Sequence, residues 1–167
     1  MFFVILQDTG MRPDELFPMR IENVHWNENR IWIPEGKTRN SRRFVGMSDR
    51  VKQMLSVWCS GRTEGWVFPS PRSKTGHLTT ISKGFAAARS RAGVDPRIVL
   101  YSARHTFGTH MLAATGNAFA VSKAMGHADI KSMEHYQHPD TSILNEAVNN
   151  RNRNNTHTDW HTDEVKQ

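Results

Sequence analysis

The sequence MGHADIKSMEHYQH places Tyr136 among three histidines, His127, His135 and His138. Tyr136 is one of two tyrosines in the chain, and the other is Tyr101 in YSARHTFGTHML. A tyrosine hydroxyl becomes a nucleophile when a neighbouring base accepts its proton, whereas a cluster of histidines is typical of a metal site. The stretch alone therefore leaves three alternatives: a nucleophile, an ordinary aromatic side chain at a helix end, or a metal site.

Three polar side chains fall on one face of a predicted helix. They are Tyr101, Arg104 and His105, at positions i, i+3 and i+4. Apolar residues follow them, and an arginine inside such a helix is costly to bury unless it is paired or binds an anion. Either an acidic partner or an anion site is consistent with Arg104.

The first half of the chain adds more basic groups. Arg12 follows the Thr9-Gly10 turn at a predicted helix start, where main-chain N–H groups and a guanidinium together favour an anion. A surface ion pair with Glu15 is equally consistent with Arg12. Lys37 lies in a predicted turn between two strands, followed by Arg39, Arg42 and Arg43. Such a run of charge on a hairpin is usually a solvent-exposed face.

A mainly helical domain with one small sheet must position these residues. NVHW, RIWIPE and RRFVGMS are rich in β-branched and aromatic residues and predict a three-stranded antiparallel meander. An apolar helix is predicted at residues 2–6, and a helix capped by Ser48 and running to about Cys59 has an apolar stripe at i, i+3, i+4 and i+7. The stripe consists of Val51, Met54, Leu55 and Trp58. Further helices are predicted at residues 12–17, 80–92, 102–114, 118–125, 130–136 and 141–148, with a long loop at 61–78.

Length and composition limit the alternatives. A chain of 167 residues is sufficient for one compact domain, which we expect at residues 1–150, and the polar, Asn-rich residues 151–167 predict a disordered tail. The net charge of +6 favours a polyanionic partner such as nucleic acid. One cysteine, Cys59, excludes an internal disulfide and is typical of a reducing, cytoplasmic compartment. No apolar run approaches the ~20 residues that span a bilayer.

Taken together, the motifs resemble the tyrosine recombinase family, the phage-type integrases. The resemblance consists of TGMRPDEL, a lysine on a β-turn, YSARHTFGTH, MGH and a tyrosine nine residues after its histidine, and it extends to about Val148. It implies the DNA breaking-rejoining fold, which is mainly α with a small three-stranded antiparallel sheet. It also implies double-stranded DNA as the partner and no cofactor or metal.

The resemblance gives each of these residues a role. It implies that Tyr136 attacks a DNA phosphodiester to form a 3′-phosphotyrosine and a free 5′-hydroxyl. Arg12 and Arg104 then neutralise the charge on the phosphate, and Lys37 protonates the leaving oxygen as general acid. Three further roles follow: His127 donates a hydrogen bond to the phosphate, His105 is a candidate general base, and Glu15 orients an arginine.

Two features depart from the family pattern. The family usually has histidine where this chain has Tyr101, and a phenol cannot become cationic at neutral pH, so we expect reduced or shifted activity. The family also has an N-terminal DNA-clamping domain, and its catalytic domain begins before the segment at which this chain starts. We therefore expect a fragment or decayed gene product with weakened DNA binding. The predicted helix at residues 141–148 resembles the helix through which recombinases form homo-tetramers on DNA.

Three alternatives remain at this point. AFAVSKAMGHADIKSMEHY is consistent with two helices joined at a glycine, as in a non-catalytic helix-turn-helix regulator. A metal site would use His127, His135 and His138, with Asp129 and Glu134 at unconvincing spacings. A type IB topoisomerase-like enzyme would relax DNA by the same chemistry without exchanging partners.

Overall fold

The computed structural model describes residues 1–34 and 42–127, together with residues 129, 131, 133 and 136. Its helices are α1 (Phe2–Thr9), α2 (Pro13–Leu16), α3 (Asp49–Cys59), α4 (Ser82–Arg91), α5 (Leu100–Thr115) and α6 (Ala118–Met125). The strands are β1 (Val24–His25), β2 (Arg30–Ile33) and β3 (Arg43–Gly46), and two short 3-10 helices occupy Ile21–Asn23 and Trp26–Glu28. The predicted class, mainly helical with a small sheet, is confirmed.

The sheet is the predicted antiparallel meander, with strand order β1-β2-β3. Ile31 pairs with both Val24 and Val45, so these apolar residues share the buried face. Side chains alternate between the two faces of a strand, and Arg43 therefore lies on the same buried face as Val45, two residues further on. The prediction that the arginines after Lys37 form a solvated face is wrong for Arg43.

The core joins the sheet to α1 and α3. Ile5 and Leu6 of α1 pack in one buried cluster with Ile31 and Val45, and the cluster also contains Val51 and Leu55 of the predicted stripe. Trp58 departs from the stripe because its side chain is 46% exposed, although its Nε1 donates to the carbonyl of Val67 at 2.7 Å.

Helix ends set the position of the site. Ser48 caps α3 as predicted, because its hydroxyl accepts a hydrogen bond from the Val51 N–H at 3.3 Å. Gly10 ends α1 in the left-handed region at φ 65°, and a Cβ built there would lie 2.4 Å from Cδ1 of Phe107 on α5. Glycine is therefore required at this turn both for its φ and for the close packing of α1 on α5.

The remaining predictions differ mainly at their boundaries. α6 has the predicted bounds, α4 is shorter, and α5 begins earlier because Ser102 folds back to accept from the Val99 N–H at 3.1 Å. Residues 61–78 contain no helix, as expected. The predicted helix at 141–148 and the tail at 151–167 lie outside the described residues, as does most of the helix predicted at 130–136. Within the described segments, no helix is long and apolar enough to cross a membrane.

Candidate active site

Arg104 lies in the N-terminal half of α5, and its side chain is completely buried. Nη1 donates to the carbonyl of Gly10 at 2.5 Å, and Nη2 donates to the carbonyl of Met125 at 2.7 Å. These acceptors are main-chain groups at helix ends, so direct pairing with an acidic side chain is not what stabilises this arginine. Among the described residues, Nε of Arg104 has no hydrogen-bond partner. A buried donor of this kind is costly unless a ligand satisfies it.

Arg12 lies beside Arg104 and pairs with Glu15. Its main-chain N–H and its Nη1 donate to the two carboxylate oxygens of Glu15 at 2.7 and 2.9 Å, and its Nη2 donates to the carbonyl of Gly126 at 3.0 Å. Glu15 is almost fully buried. The ion pair that the sequence offered as an alternative to an anion site is therefore present, and it orients the Arg12 guanidinium.

Arg43 also binds Glu15. Its Nη1 and Nη2 donate to the two carboxylate oxygens at 2.9 and 3.0 Å, and its Nε donates to the carbonyl of Ala124 at 2.8 Å. The sequence did not indicate this role, because the partner lies 28 residues away and the arginine belongs to a run of charge. The one available signal was strand alternation, which places Arg43 on the face of Val45.

Carbonyl groups at the C-terminal end of α6 accept hydrogen bonds from Arg12, Arg43 and Arg104. The consecutive carbonyls of Ala124, Met125 and Gly126 accept from Arg43, Arg104 and Arg12 respectively. The last carbonyls of a helix have no partner within it, and the helix dipole makes them favourable neighbours of a cation. Gly126 has φ 69°, and a Cβ built there would lie 2.8 Å from Nη1 of Arg43.

The charges of this cluster shift its pKa values. Burial raises the pKa of the Glu15 carboxyl, but the hydrogen bonds and charges of Arg43 and Arg12 outweigh burial and lower it. Burial, and then the charge of Arg12, lowers the pKa of Arg104 to about 10. Arg104 therefore remains cationic at neutral pH. Three guanidinium groups around one carboxylate leave a positive excess that suits an anion.

Tyr136 lies next to α5, on the side where His105 projects. Its hydroxyl is 3.0 Å from Nδ1 of His105, within hydrogen-bonding distance. A Cβ built at Gly108 would lie 2.6 Å from Cε1 of Tyr136, so the ring packs directly against the helix. Burial raises the pKa of Tyr136, with the charge of Arg104 acting in the opposite direction. A phenol in this state needs a base to become nucleophilic.

Two further rings complete this side of the site. Tyr101 meets the ring of His105 edge to face, with centroids 5.1 Å apart, and is 40% exposed. The centroid of His127 lies 6.3 Å from that of Tyr136. Burial, followed by the charges of Arg104 and Arg12, lowers the pKa of His127 to about 4. His127 is therefore a neutral imidazole at neutral pH.

The structure brings together seven of the eight residues selected from the sequence. We call Arg12, Glu15, Arg43 and Arg104 the arginine side, which adds Arg43 to that selection, and Tyr101, His105, His127 and Tyr136 the tyrosine side. Lys37 lies outside the described residues. His135 and His138 of the alternative metal site also lie outside them, and no group of three or more potential metal ligands occurs in the part that is described.

Comparisons with known proteins identify the family of this chain. The Phage integrase family model matches residues 1–142. Tyrosine recombinase XerD of Rhizobium meliloti (strain 1021) is 30% identical over 154 residues, covering 87% of this chain and 49% of the relative. Tyrosine recombinase XerC of Yersinia pestis is 27% identical over 145 residues, covering 84% and 47%. The chain thus spans about half the length of the curated relatives it matches.

Solved structures give the same result for the fold. XerA recombinase superposes with a TM-score of 0.69 at 23% identity, covering 90% of this chain and 55% of the other. The Tn1549 transposon integrase in complex with transposon right end DNA gives 0.73 at 19% identity, covering 89% and 57%. The fold is that of a tyrosine recombinase catalytic domain, and the chain belongs to the phage integrase family.

Proposed function

We propose that this chain is the catalytic domain of a tyrosine-type site-specific DNA recombinase. The observation that carries the proposal is the Tyr136 hydroxyl 3.0 Å from Nδ1 of His105, on the helix that also holds the buried Arg104. A candidate nucleophile, a candidate base and a phosphate-binding cation are thereby adjacent. Each of them is a group that transesterification of a phosphodiester requires.

The proposed reaction exchanges one ester for another. The Tyr136 oxygen attacks the phosphorus, a P–O bond to tyrosine forms, and the P–O bond to the 5′-oxygen breaks. The products are a 3′-phosphotyrosine and a free 5′-hydroxyl. Because the number of phosphoester bonds does not change, the step needs no ATP, and the hydroxyl of another strand reverses it.

Arg12 and Arg104 bind the phosphate in this proposal. The transition state gathers negative charge on the non-bridging oxygens, and fixed cations stabilise that charge without having to reorganise. Nε of Arg104, which has no hydrogen-bond partner within the described segments, supports this role, since an incoming anion would satisfy it. Glu15 orients Arg12 and does not touch the DNA.

Three further residues have roles in this proposal, two in proton transfer and one as a hydrogen-bond donor to the phosphate. His105 accepts the Tyr136 proton as the bond forms, which the 3.0 Å separation supports. His127, neutral because of its low pKa, donates a hydrogen bond to a phosphate oxygen through its ring N–H. Lys37 delivers a proton to the leaving 5′-oxygen, a role that rests on the family resemblance alone.

Double-stranded DNA is the proposed partner. The solved relatives include an XerH recombinase bound to its difH substrate as well as the transposon integrase complex. The net charge of +6 is favourable for a polyanion. We further propose a homo-tetramer on DNA through residues 141–148, which light scattering of the protein–DNA complex would detect.

Covalent attachment tests the proposal directly. The protein is incubated with a panel of nicked suicide duplexes, and the products are resolved on a denaturing gel. We expect a DNA adduct that resists denaturation and disappears in Tyr136→Phe. The matched control is Tyr101→Phe, because it removes the other tyrosine hydroxyl but leaves the nucleophile. An adduct that survives in Tyr136→Phe, or that Tyr101→Phe alone abolishes, would contradict the assignment.

A further inference from the structure

Arg43 is part of the arginine side, yet the proposed reaction gives it no task. Its side chain is 8% exposed, against 22% for Arg12, so Arg12 is the more accessible of the two guanidinium groups that bind Glu15. Burying a guanidinium costs several kcal/mol unless its geometry is well satisfied. The position of Arg43 therefore calls for an explanation.

The bonds of Arg43 fix the orientation of Glu15. A guanidinium is planar, and it uses Nη1 and Nη2 as a fork on the two carboxylate oxygens at 2.9 and 3.0 Å. Its Nε donates to the carbonyl of Ala124 at 2.8 Å, which prevents rotation of the fork about the side chain. The carboxylate of Glu15 is thus held along one edge by a group that is itself anchored to α6.

Glu15 passes this orientation on to Arg12. Oε1 of Glu15 accepts from Nη1 of both arginines, and Oε2 accepts from Nη2 of Arg43 and from the main-chain N–H of Arg12. Each carboxylate oxygen therefore has one bond from Arg43 and one from Arg12. A rotation of the carboxylate that weakened its contact with Arg43 would also displace the Arg12 guanidinium.

We propose that Arg43 is a positioning residue, which acts through the Glu15 carboxylate to hold Arg12 at the phosphate site while making no contact with DNA itself. This inference rests on the proposed function, because it assumes that Arg12 binds the phosphate that Tyr136 attacks. Arg43 also reaches the end of α6, whose next two carbonyls bind Arg104 and Arg12. One buried side chain therefore links β3 to both proposed phosphate ligands.

Arg43→Lys tests the proposal because it keeps the charge but loses the fork. We expect single-turnover cleavage of a nicked suicide duplex at saturating DNA to slow by about 10- to 100-fold, as for a small misplacement of a catalytic group. The Kd for the same duplex should change by no more than about twofold, because Arg43 makes no contact with DNA in this proposal. Arg97→Lys is the matched control, because Arg97 is an exposed arginine whose partner is Asp95.

A double-mutant cycle separates positioning from a general structural role. In a Glu15→Gln background, Arg43→Lys should cost no more than about a further twofold in rate, because the carboxylate through which it acts is already altered. Equal losses in both backgrounds, or an unchanged rate in the single variant, would overturn the proposal. Thermal unfolding sets an assay temperature at which every variant is folded. Arg43→Gln replaces Arg43→Lys if the lysine variant does not fold.

The positioning role of Arg43 can also be tested by a measurement that does not depend on catalysis, in case the proposed function is wrong. If the wild-type chain forms no adduct with any duplex, the recombinase assignment has failed, and the linkage is tested by NMR alone. We then expect Arg43→Lys to raise the pKa of the Glu15 carboxyl and to shift the Nε–Hε resonance of Arg12, with neither change in Arg97→Lys. An unchanged Glu15 pKa together with an unchanged Arg12 resonance would overturn the positioning role.

Discussion

The arginine side and the tyrosine side of the site are built differently. On the arginine side, the guanidinium groups are buried or half-buried and donate to a carboxylate and to helix-end carbonyls. On the tyrosine side, Tyr101 and His105 are exposed on α5, His127 is half-buried, and Tyr136 is buried at 6% exposure. The proposed base, His105, is thus more exposed than the guanidinium groups, whereas Tyr136 is buried as they are.

The difference follows from what each side would have to do in the proposed reaction. Transition-state charge is best stabilised by donors that are already in position, so the arginine side gains from rigid anchoring. The proposed base must take up a proton and pass it on, so the exposure of His105 is an advantage, while the buried Tyr136 ring is held in place against α5. Apart from loss of the Tyr136 hydroxyl, which should abolish the adduct, substitutions should therefore slow cleavage more on the arginine side than at the exposed Tyr101.

Among substitutions that keep the Tyr136 hydroxyl, Arg104→Lys should have the largest effect. The ammonium cannot reach the carbonyls of Gly10 and Met125 together, and the loss of a preorganised donor typically slows cleavage by about 10²–10³. Leaving a buried carbonyl unpaired should also lower the free energy of unfolding by about 1–3 kcal/mol. Single-turnover cleavage and urea unfolding measure the two effects. Arg50→Lys, at an exposed arginine paired with Asp8, is the control. A cleavage rate for Arg104→Lys equal to that of the wild type would contradict the proposed role of the arginine side.

Gly10→Ala should come next, since its carbonyl binds Arg104. The left-handed φ of 65° costs an alanine about 1–2 kcal/mol, and the 2.4 Å approach to Cδ1 of Phe107 adds overpacking of about 1–3 kcal/mol. The matched control is Gly116→Ala, because Gly116 also ends a helix at φ 62° but has no atom within 4 Å of its Cβ position. Urea unfolding of both variants measures the difference. Equal losses would mean that the α1–α5 contact contributes nothing.

The two sides also differed in how well the sequence predicted them. Each local pattern alone left alternatives open, and it was the combination of motifs in the order and spacing of the family that selected Arg12, Arg104 and Tyr136. It missed Arg43, since whether a charge on a hairpin is exposed or buried depends on Glu15, which only folding brings close. The sequence also could not predict the carbonyl partners of Arg104, because every residue has a main-chain carbonyl and the residue type does not show which one accepts.

His127 connects the two sides, and its titration should give a moderate effect. The folded-state pKa of about 4 lies below the ordinary histidine value of 6.5, so between these pH values the unfolded chain binds a proton that the folded chain does not. Stability should therefore fall as the pH falls through this window. Because the ring is only half-buried, we expect His127 to account for about 1 kcal/mol between pH 7 and pH 5 after allowance for solvent screening.

Urea unfolding of wild type and His127→Gln at both pH values isolates this contribution, since the other titrating groups are common to the two proteins. Glu15 adds little in the window, because its pKa is lowered and its protonation lies at more acidic pH. The wild-type protein should lose more stability than the variant. The same loss in both would mean that burial and the arginine charges do not lower the pKa of His127.

Tyr101→His should have the smallest effect and the opposite sign. An imidazole at this exposed position can become cationic, as the phenol cannot at neutral pH. Cleavage should therefore speed up by a few-fold, on the order of 1 kcal/mol in the barrier, with most of the gain at the lower pH values. Tyr101→Phe keeps the edge-to-face contact with His105 but removes the hydroxyl, so it separates ring packing from hydrogen bonding. A Tyr101→His variant that cleaves no faster at any pH would contradict this prediction. It would show that tyrosine in place of the family's usual histidine costs no activity, because the exposed position accepts either ring.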